Sequence, residues 1–225
     1  MMNLIGREFY RGETVELCGP SPFHNDILFD QLLFNASAMR LRVLHLDPLL
    51  PKTPLPIKGR ADKPQICGGG QTFSQLKALV PHISNFDVVG IRGVTCIQRV
   101  PPCSITRVGD WDPLLRAREE RDFVRWRKRF GWSDNQIWLL TKLPMTRDEG
   151  GQRVLASGGG KTCDQYPDHR YWLECLGAEE EWQVILGEWQ RVLVREDFLL
   201  KPLCSCCRGM VGLSLTPGGM FTRTS

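Results

Sequence analysis

The chain has 225 residues, with 29 Lys and Arg against 25 Asp and Glu and a net charge of +4. That length suffices for one ordinary domain with a real core, and 42% hydrophobic with 24% charged residues is a globular balance that excludes wholesale disorder and collagen-like chains. The apolar runs fall well short of the ~20 residues a membrane-spanning helix needs, and Arg7, Glu8 and Arg11 sit where a secretory signal would be apolar. The expected location is therefore the cytoplasm of the cell, with the nucleus as a second compartment, and no membrane partner is expected.

Residues 1–24 carry turn signals at Gly12, Gly19-Pro20 and Ser21-Pro22. Asn25 or Asp26 is expected to cap a helix holding Ile27, Leu28, Leu32, Phe34, Met39, Leu41, Leu44 and Leu46, ending before Pro48. Five prolines, Gly59 and the triplet Gly68-Gly69-Gly70 make residues 47–70 a loop or linker. A short helix is expected over 72–80, and β-type residues between Asp87 and Val100 predict one or two strands.

Asp112, Pro113 and Gly131 punctuate a helix ending at Phe130, and Ser133 with Gln136 has capping-box spacing for another that carries Ile137 to Leu140. Residues 147–163 read as a second, Gly-rich loop. Tyr171 to Leu176 reads as a short helix. A last helix from about Ala178 to Leu200 is predicted from Trp182, Ile185, Leu186, Trp189, Val192 and Leu193, with Glu179, Glu180 and Glu181 at its positive end. The expected fold is thus mainly α or α+β, an irregular single globular domain with Pro/Gly-rich loops. Its parts are an N-terminal helix and loop over 1–70, a helical core region over 71–203, and a Cys-containing disordered tail over 204–225.

Three motifs bear on chemistry. Gly158-Gly159-Gly160-Lys161-Thr162 ends like a phosphate-binding loop, but Leu155 stands where the first glycine is required and Pro167 interrupts the following helix, so it is rejected. Cys204, Cys206 and Cys207, with Cys163, His169 and Cys175, lack the paired knuckles of a tetrahedral zinc site and read as reduced thiols. Arg125, Trp126, Arg127, Lys128 and Arg129 form a basic cluster with an aromatic, suited to RNA phosphates and a base, although Glu119, Glu120 and Asp122 can neutralise it along the same helix. No nucleophile elbow or metalloprotease helix is present, so neither an enzyme nor a cofactor is expected.

Arg outnumbers Lys 21 to 8, a bias that fits overlapping viral reading frames or a GC-rich genome equally. A Leu/Phe-rich segment runs into Leu46-Asp47-Pro48-Leu49-Leu50-Pro51, and twelve residues intervene before Pro64. This layout resembles the F-box-like region of polerovirus RNA-silencing suppressors, whose motif is Leu-Pro, two residues, Leu or Ile, a spacer and Pro. Pro48 and Pro64 keep the family positions, whereas Asp47 and Pro51 depart from it. The resemblance implies a viral accessory protein that suppresses host RNA silencing. Leu46, Leu49, Leu50 and Leu55 would meet the adaptor subunit of a host ubiquitin ligase, and Trp132 would hook Argonaute for degradation. The alternatives from the residues themselves are an RNA-binding accessory protein using the basic cluster, or an orphan protein without a defined activity.

Overall fold

The computed structural model describes residues 2–4, 7–47, 50–51, 62–68, 83–93, 136–141, 144–149, 152–157, 167–204 and 209–224. Within them the chain forms β1 (Met2–Leu4), β2 (Arg7–Phe9), β3 (Thr14–Cys18), α1 (Pro22–Ala38), β4 (Val43–Asp47), β5 (Gln65–Gly68), β6 (Val88–Ile91) and β7 (Ile137–Thr141). There follow β8 (Pro144–Glu149), β9 (Gln152–Ser157), β10 (His169–Ile185), β11 (Glu188–Pro202), β12 (Val211–Leu215) and β13 (Phe221–Arg223).

Nine strands build one mixed sheet in the order β13-β12-β11-β10-β3-β7-β6-β4-β5. The block from β10 to β5 is parallel, and β11, β12 and β13 extend it as an antiparallel meander. Two antiparallel pairs, β1 with β2 and β8 with β9, stand as separate small sheets.

The central strands are buried on both faces. Val15 and Leu17 of β3, Val43 of β4, Val88 of β6 and Leu139 of β7 join Leu28, Phe29, Leu32 and Leu33 of α1 in one core. Their alternates, among them Cys18, Leu46, Val89, Ile91 and Trp138, are equally buried. No position alternates to water, so β6 and β7 read as nearly continuous apolar runs, while β3 and β4 bury Glu16 and His45 within theirs. Gly90 lets α1 lie close on β6, since a Cβ there would stand 2.8 Å from the side chains of Leu33 and Phe29.

A mainly helical fold is therefore corrected to a mixed sheet with, among the described residues, one helix. That helix begins earlier than expected. Ser21, not Asn25 or Asp26, is the N-cap, its hydroxyl accepting from the His24 amide, and Pro22 occupies the first turn, where a missing N–H costs nothing. It ends at Ala38, followed by Arg40 in the left-handed region (φ 62°), and the chain restarts as β4.

Leu41 to Leu46, Ile137 to Leu140, and residues 171–200 were all expected to be helical, and the structure places strands there. Gln136, expected in a capping box, instead donates its side-chain amide to the carbonyls of Ile83 (2.5 Å) and Phe86 (2.8 Å), fastening the start of β7 to the turn before β6. The tail expected to be disordered after Met210 supplies β12 and β13, with Leu213, Leu215 and Phe221 in the core. The strand expected after Asp87 coincides with β6. The helices expected over 72–80 and 112–130 lie outside the described residues.

Candidate functional site at the carboxyl edge

Parallel strands place all their carboxyl ends at one edge of the sheet, and in open α/β folds that edge is where ligands bind. Here it gathers Gly19 after β3, Asp47 at the end of β4, Arg92 after β6 and Thr141 at the end of β7. The first helical turns of α1 add Asp26 and Asp30. The Thr141 hydroxyl accepts from the Gly93 amide at 2.7 Å, which holds the turn after β6 against β7.

Arg92 is the centre of this edge. Its guanidinium pairs with Asp30, lies 3.4 Å from Asp47 and 3.9 Å from Asp26. Burial works against the Arg92 charge, but Asp30, Asp26 and Asp47 outweigh it and raise its pKa. The Asp26 pKa is raised as well, which for a carboxyl disfavours the charged form: burial, with repulsion from Asp30 and Asp47, outweighs the attraction of Arg92. His45 on β4 is buried beside them with the Phe29 ring edge-on at 5.2 Å. Burial and then the nearby Arg92 lower its pKa, so it is neutral at physiological pH. Its Nε2 has no hydrogen-bond partner among the described residues. Asp30, His45, Asp47 and Arg92 form the polar wall of a cavity of about 410 Å³, closed on the apolar side by Phe34, Leu50 and Ile66.

The strand–glycine–helix unit β3–Gly19–α1 has the frame of a phosphate-binding loop, in which a glycine is followed after four residues by Gly-Lys-Ser/Thr. Counting from Gly19, those three positions hold His24, Asn25 and Asp26. The lysine that reaches the phosphates is thus an amide, and the hydroxyl that would hold Mg²⁺ is a carboxylate. The carboxylate that P-loop enzymes carry at the end of a second strand to hold the metal is matched after β6 by the cation Arg92.

The backbone is spent as well. Pro20 and Pro22 have no N–H, the His24 amide donates to Ser21 Oγ and the Asn25 amide to the Ser21 carbonyl. Gly19 is required by packing rather than by a phosphate, since a Cβ there would lie 2.4 Å from the Leu173 carbonyl oxygen. These residues do not fit a magnesium nucleotide. They make a net-acidic cluster of three carboxylates around one guanidinium.

Of the residues singled out from sequence, Leu46 is fully buried in β4 and cannot meet an adaptor subunit. Leu50 is 41% exposed, and with Pro64 it lines the cavity beside Arg92. Pro48, Leu49, Leu55, Trp132 and the basic cluster Arg125, Trp126, Arg127, Lys128 and Arg129 lie outside the described residues, as do Gly158–Thr162, Cys163, Cys206 and Cys207. Cys175 is a free thiol, the Cys204 sulfur accepts from the Arg170 amide at 3.5 Å, and His169 pairs with Glu13 at 3.1 Å. Among the described residues no group of His, Cys, Asp and Glu has the geometry of a metal site, and no helix is long and apolar enough to cross a membrane. The Asp26–Asp30–Asp47–Arg92 cluster escaped the sequence reading. The signal for it was the five-residue offset from Gly19 to position 24, between a β-type run and a helix.

No family model matches the chain, and no curated protein matches it in sequence. Among solved structures it is similar to the crystal structure of flagellar accessory protein FlaH from Methanocaldococcus jannaschii, with a TM-score of 0.60 over 99% of this chain and 93% of that one, at 9% identity. At that identity the likeness shows the fold alone, and 328 chains of solved structures share it to a significant degree, so it carries no activity with it. It does overturn the viral reading: the similarity spans nearly the whole chain and runs to a flagellar accessory protein, not to a silencing suppressor or ubiquitin-ligase adaptor. The chain has a mixed α/β fold similar to that of the flagellar accessory protein.

Proposed function

We propose that this chain is a non-hydrolysing accessory domain: a P-loop-type fold that works through protein contacts and has no nucleotide chemistry. The observation that carries this reading is the exchange of charge at the carboxyl edge. Asp26 stands at the hydroxyl position and Arg92 at the carboxylate position, and the two are drawn together with Asp30 and Asp47. A guanidinium there supplies a permanent cation where a nucleotide-binding relative would recruit Mg²⁺. The carboxylates that surround it would repel a triphosphate. Asn25 cannot replace the lysine that neutralises the phosphates. The neighbouring fold, named an accessory protein, is in keeping with such a role.

The test is thermal unfolding of the full chain with 2 mM Mg-ATP or Mg-GTP, together with a phosphate-release assay. A ligand at 100 times its dissociation constant stabilises by about 2.7 kcal/mol, which for a chain of this size is a rise of roughly 5–10 °C. The expected result is no rise and no phosphate release above background. A magnesium-dependent rise of that size, or turnover lost on Arg92→Ala, would refute the reading.

A further inference from the structure

The longest element pair leaves the body of the fold. β3 covers β10 only over His169–Trp172, and β12 covers β11 only over Glu196–Leu200. Beyond those limits, among the described residues, the two strands pair only with each other, from Gly177 through the turn at Leu186-Gly187 and back to Arg195. At about 3.3 Å per residue this arm is on the order of 30 Å long, and its residues are exposed or half-buried throughout.

Its two faces differ. The register pairs Glu180 with Leu193, Trp182 with Arg191 and Val184 with Trp189, and directly paired residues share a face. That face carries Trp182 (61% exposed), Trp189 (69%), Val184 and Leu193 as one apolar ridge. The Arg191 guanidinium lies over the Trp182 ring, 5.5 Å from its centroid, and reaches Glu180 at 3.4 Å. The other face carries Glu181, Gln183, Ile185, Glu188, Gln190 and Val192. The arm holds four glutamates and two arginines. Arg191 and Arg195 are engaged with Glu180 and Glu179, which leaves Glu181 and Glu188 without a basic partner among the described residues.

We infer that the β10–β11 arm is a docking element for another protein, and that its receptor is a cleft with an apolar floor and a Lys/Arg-lined lip. The floor takes the Trp182–Trp189 ridge and the lip takes Glu181 and Glu188 on the reverse face. Two tryptophans at this exposure offer ~300 Å² of surface, and the whole ridge offers roughly 450 Å². Two copies stacked ridge to ridge would bury about 900 Å², below the ~1,200–2,000 Å² of a stable interface, and their net-acidic arms would repel. A cleft that encloses both faces meets the area requirement and the charge. The same acidity turns the arm away from nucleic acid and from anionic membranes. The assignment rests on the accessory reading and names its contact surface.

The experiment measures binding of two labelled helical peptides to the full chain by fluorescence anisotropy. One is a Leu/Lys amphipath, an apolar strip with cationic flanks, and the other is a Leu/Glu amphipath. Variants Trp182→Thr/Trp189→Thr and Glu181→Lys/Glu188→Lys are compared with wild type, with sedimentation analysis of all three. The expected result is saturable binding of the Leu/Lys peptide, weakened at least tenfold by either double variant, and a monomer at all concentrations. Equal affinity of wild type and both variants for that peptide, or equal binding of the Leu/Glu peptide, would overturn the assignment. So would a dimer abolished by Trp182→Thr/Trp189→Thr, which would identify a second copy as the occupant. Nucleotide binding at the other edge would strike the accessory reading and leave these peptide affinities to be read separately.

Discussion

The carboxyl edge and the β10–β11 arm lie on the same sheet and treat their polar and apolar groups in opposite ways. At the edge the cation is met from within: Arg92 engages Asp26, Asp30 and Asp47, and the His24 and Asn25 amides at the start of α1 donate to Ser21. On the arm, Trp182, Trp189 and Leu186 stand in water, and a two-stranded ribbon has little stability of its own. A region that has satisfied itself has little free energy left for a ligand, whereas one that leaves apolar surface in water gains on docking. The contrast places recognition on the arm.

Five substitutions set the edge against the arm, the most costly first. Within the body, Glu16 on β3 is fully buried and accepts from Arg170 on the neighbouring β10 at 3.2 Å. Arg170→Met should cost about 3–5 kcal/mol, measured by chemical denaturation, with no loss of arm-dependent peptide binding once the protein is folded. Arg92→Leu should cost about 1–3 kcal/mol, because it takes the Arg92 cation away from the buried Asp47 carboxylate. The double variant Arg92→Leu/Asp47→Asn should recover part of that loss. If Arg92→Leu were neutral, Arg92 would not be the counter-charge that holds the edge together.

Proton linkage separates the regions next. The His45 pKa in the fold lies below its ordinary 6.5, because burial first and Arg92 second disfavour the imidazolium. The unfolded chain therefore binds the proton first, and stability should fall as pH drops from about 6.5 toward the folded value. His45→Phe should flatten that slope in denaturation curves taken between pH 7 and pH 5. Asp26 works in the opposite sense. Its raised pKa means that the fold holds the proton more tightly than the unfolded chain, so this contribution is present below the ordinary 3.8 and is lost as pH rises through the folded value. Asp26→Asn should accordingly stabilise the protein at pH 7 and not at pH 3. The smallest effect belongs to the arm: Trp182→Thr should change stability by no more than ~0.5 kcal/mol, while removing the ridge. A large loss would mean that the ridge packs on the body.

How much of this was readable from sequence depended on the environment of each element. The helix after Ser21-Pro22 and the strand after Asp87 were visible because turn chemistry and β-branched residues agree there. β4 and β7 were not, since Val43–Leu46 and Ile137–Leu140 are buried on both faces, and a run without polar–apolar alternation has no period to distinguish strand from helix. The arm misled through coincidence. Trp182, Ile185, Leu186 and Trp189 fall at helical spacing, yet Val184, Ile185, Val192 and Val194 favour strands, and Leu186-Gly187 supplies the two positive-φ residues (54° and 85°) that a tight hairpin turn requires. The cluster at the edge joins residues from α1, β4 and the turn after β6, which only the parallel crossovers bring together. Gly19 followed five residues later by His24, rather than glycine, hid the phosphate-loop frame from a motif search.

On the proposed reading the charge cluster takes the place of nucleotide at the carboxyl edge. Isothermal titration of the full chain with Mg-ATP, repeated in EDTA, tests this. No saturable heat is expected up to millimolar nucleotide in either buffer. A saturable, magnesium-dependent heat with a dissociation constant below ~0.1 mM, lost on Arg92→Ala, would contradict it.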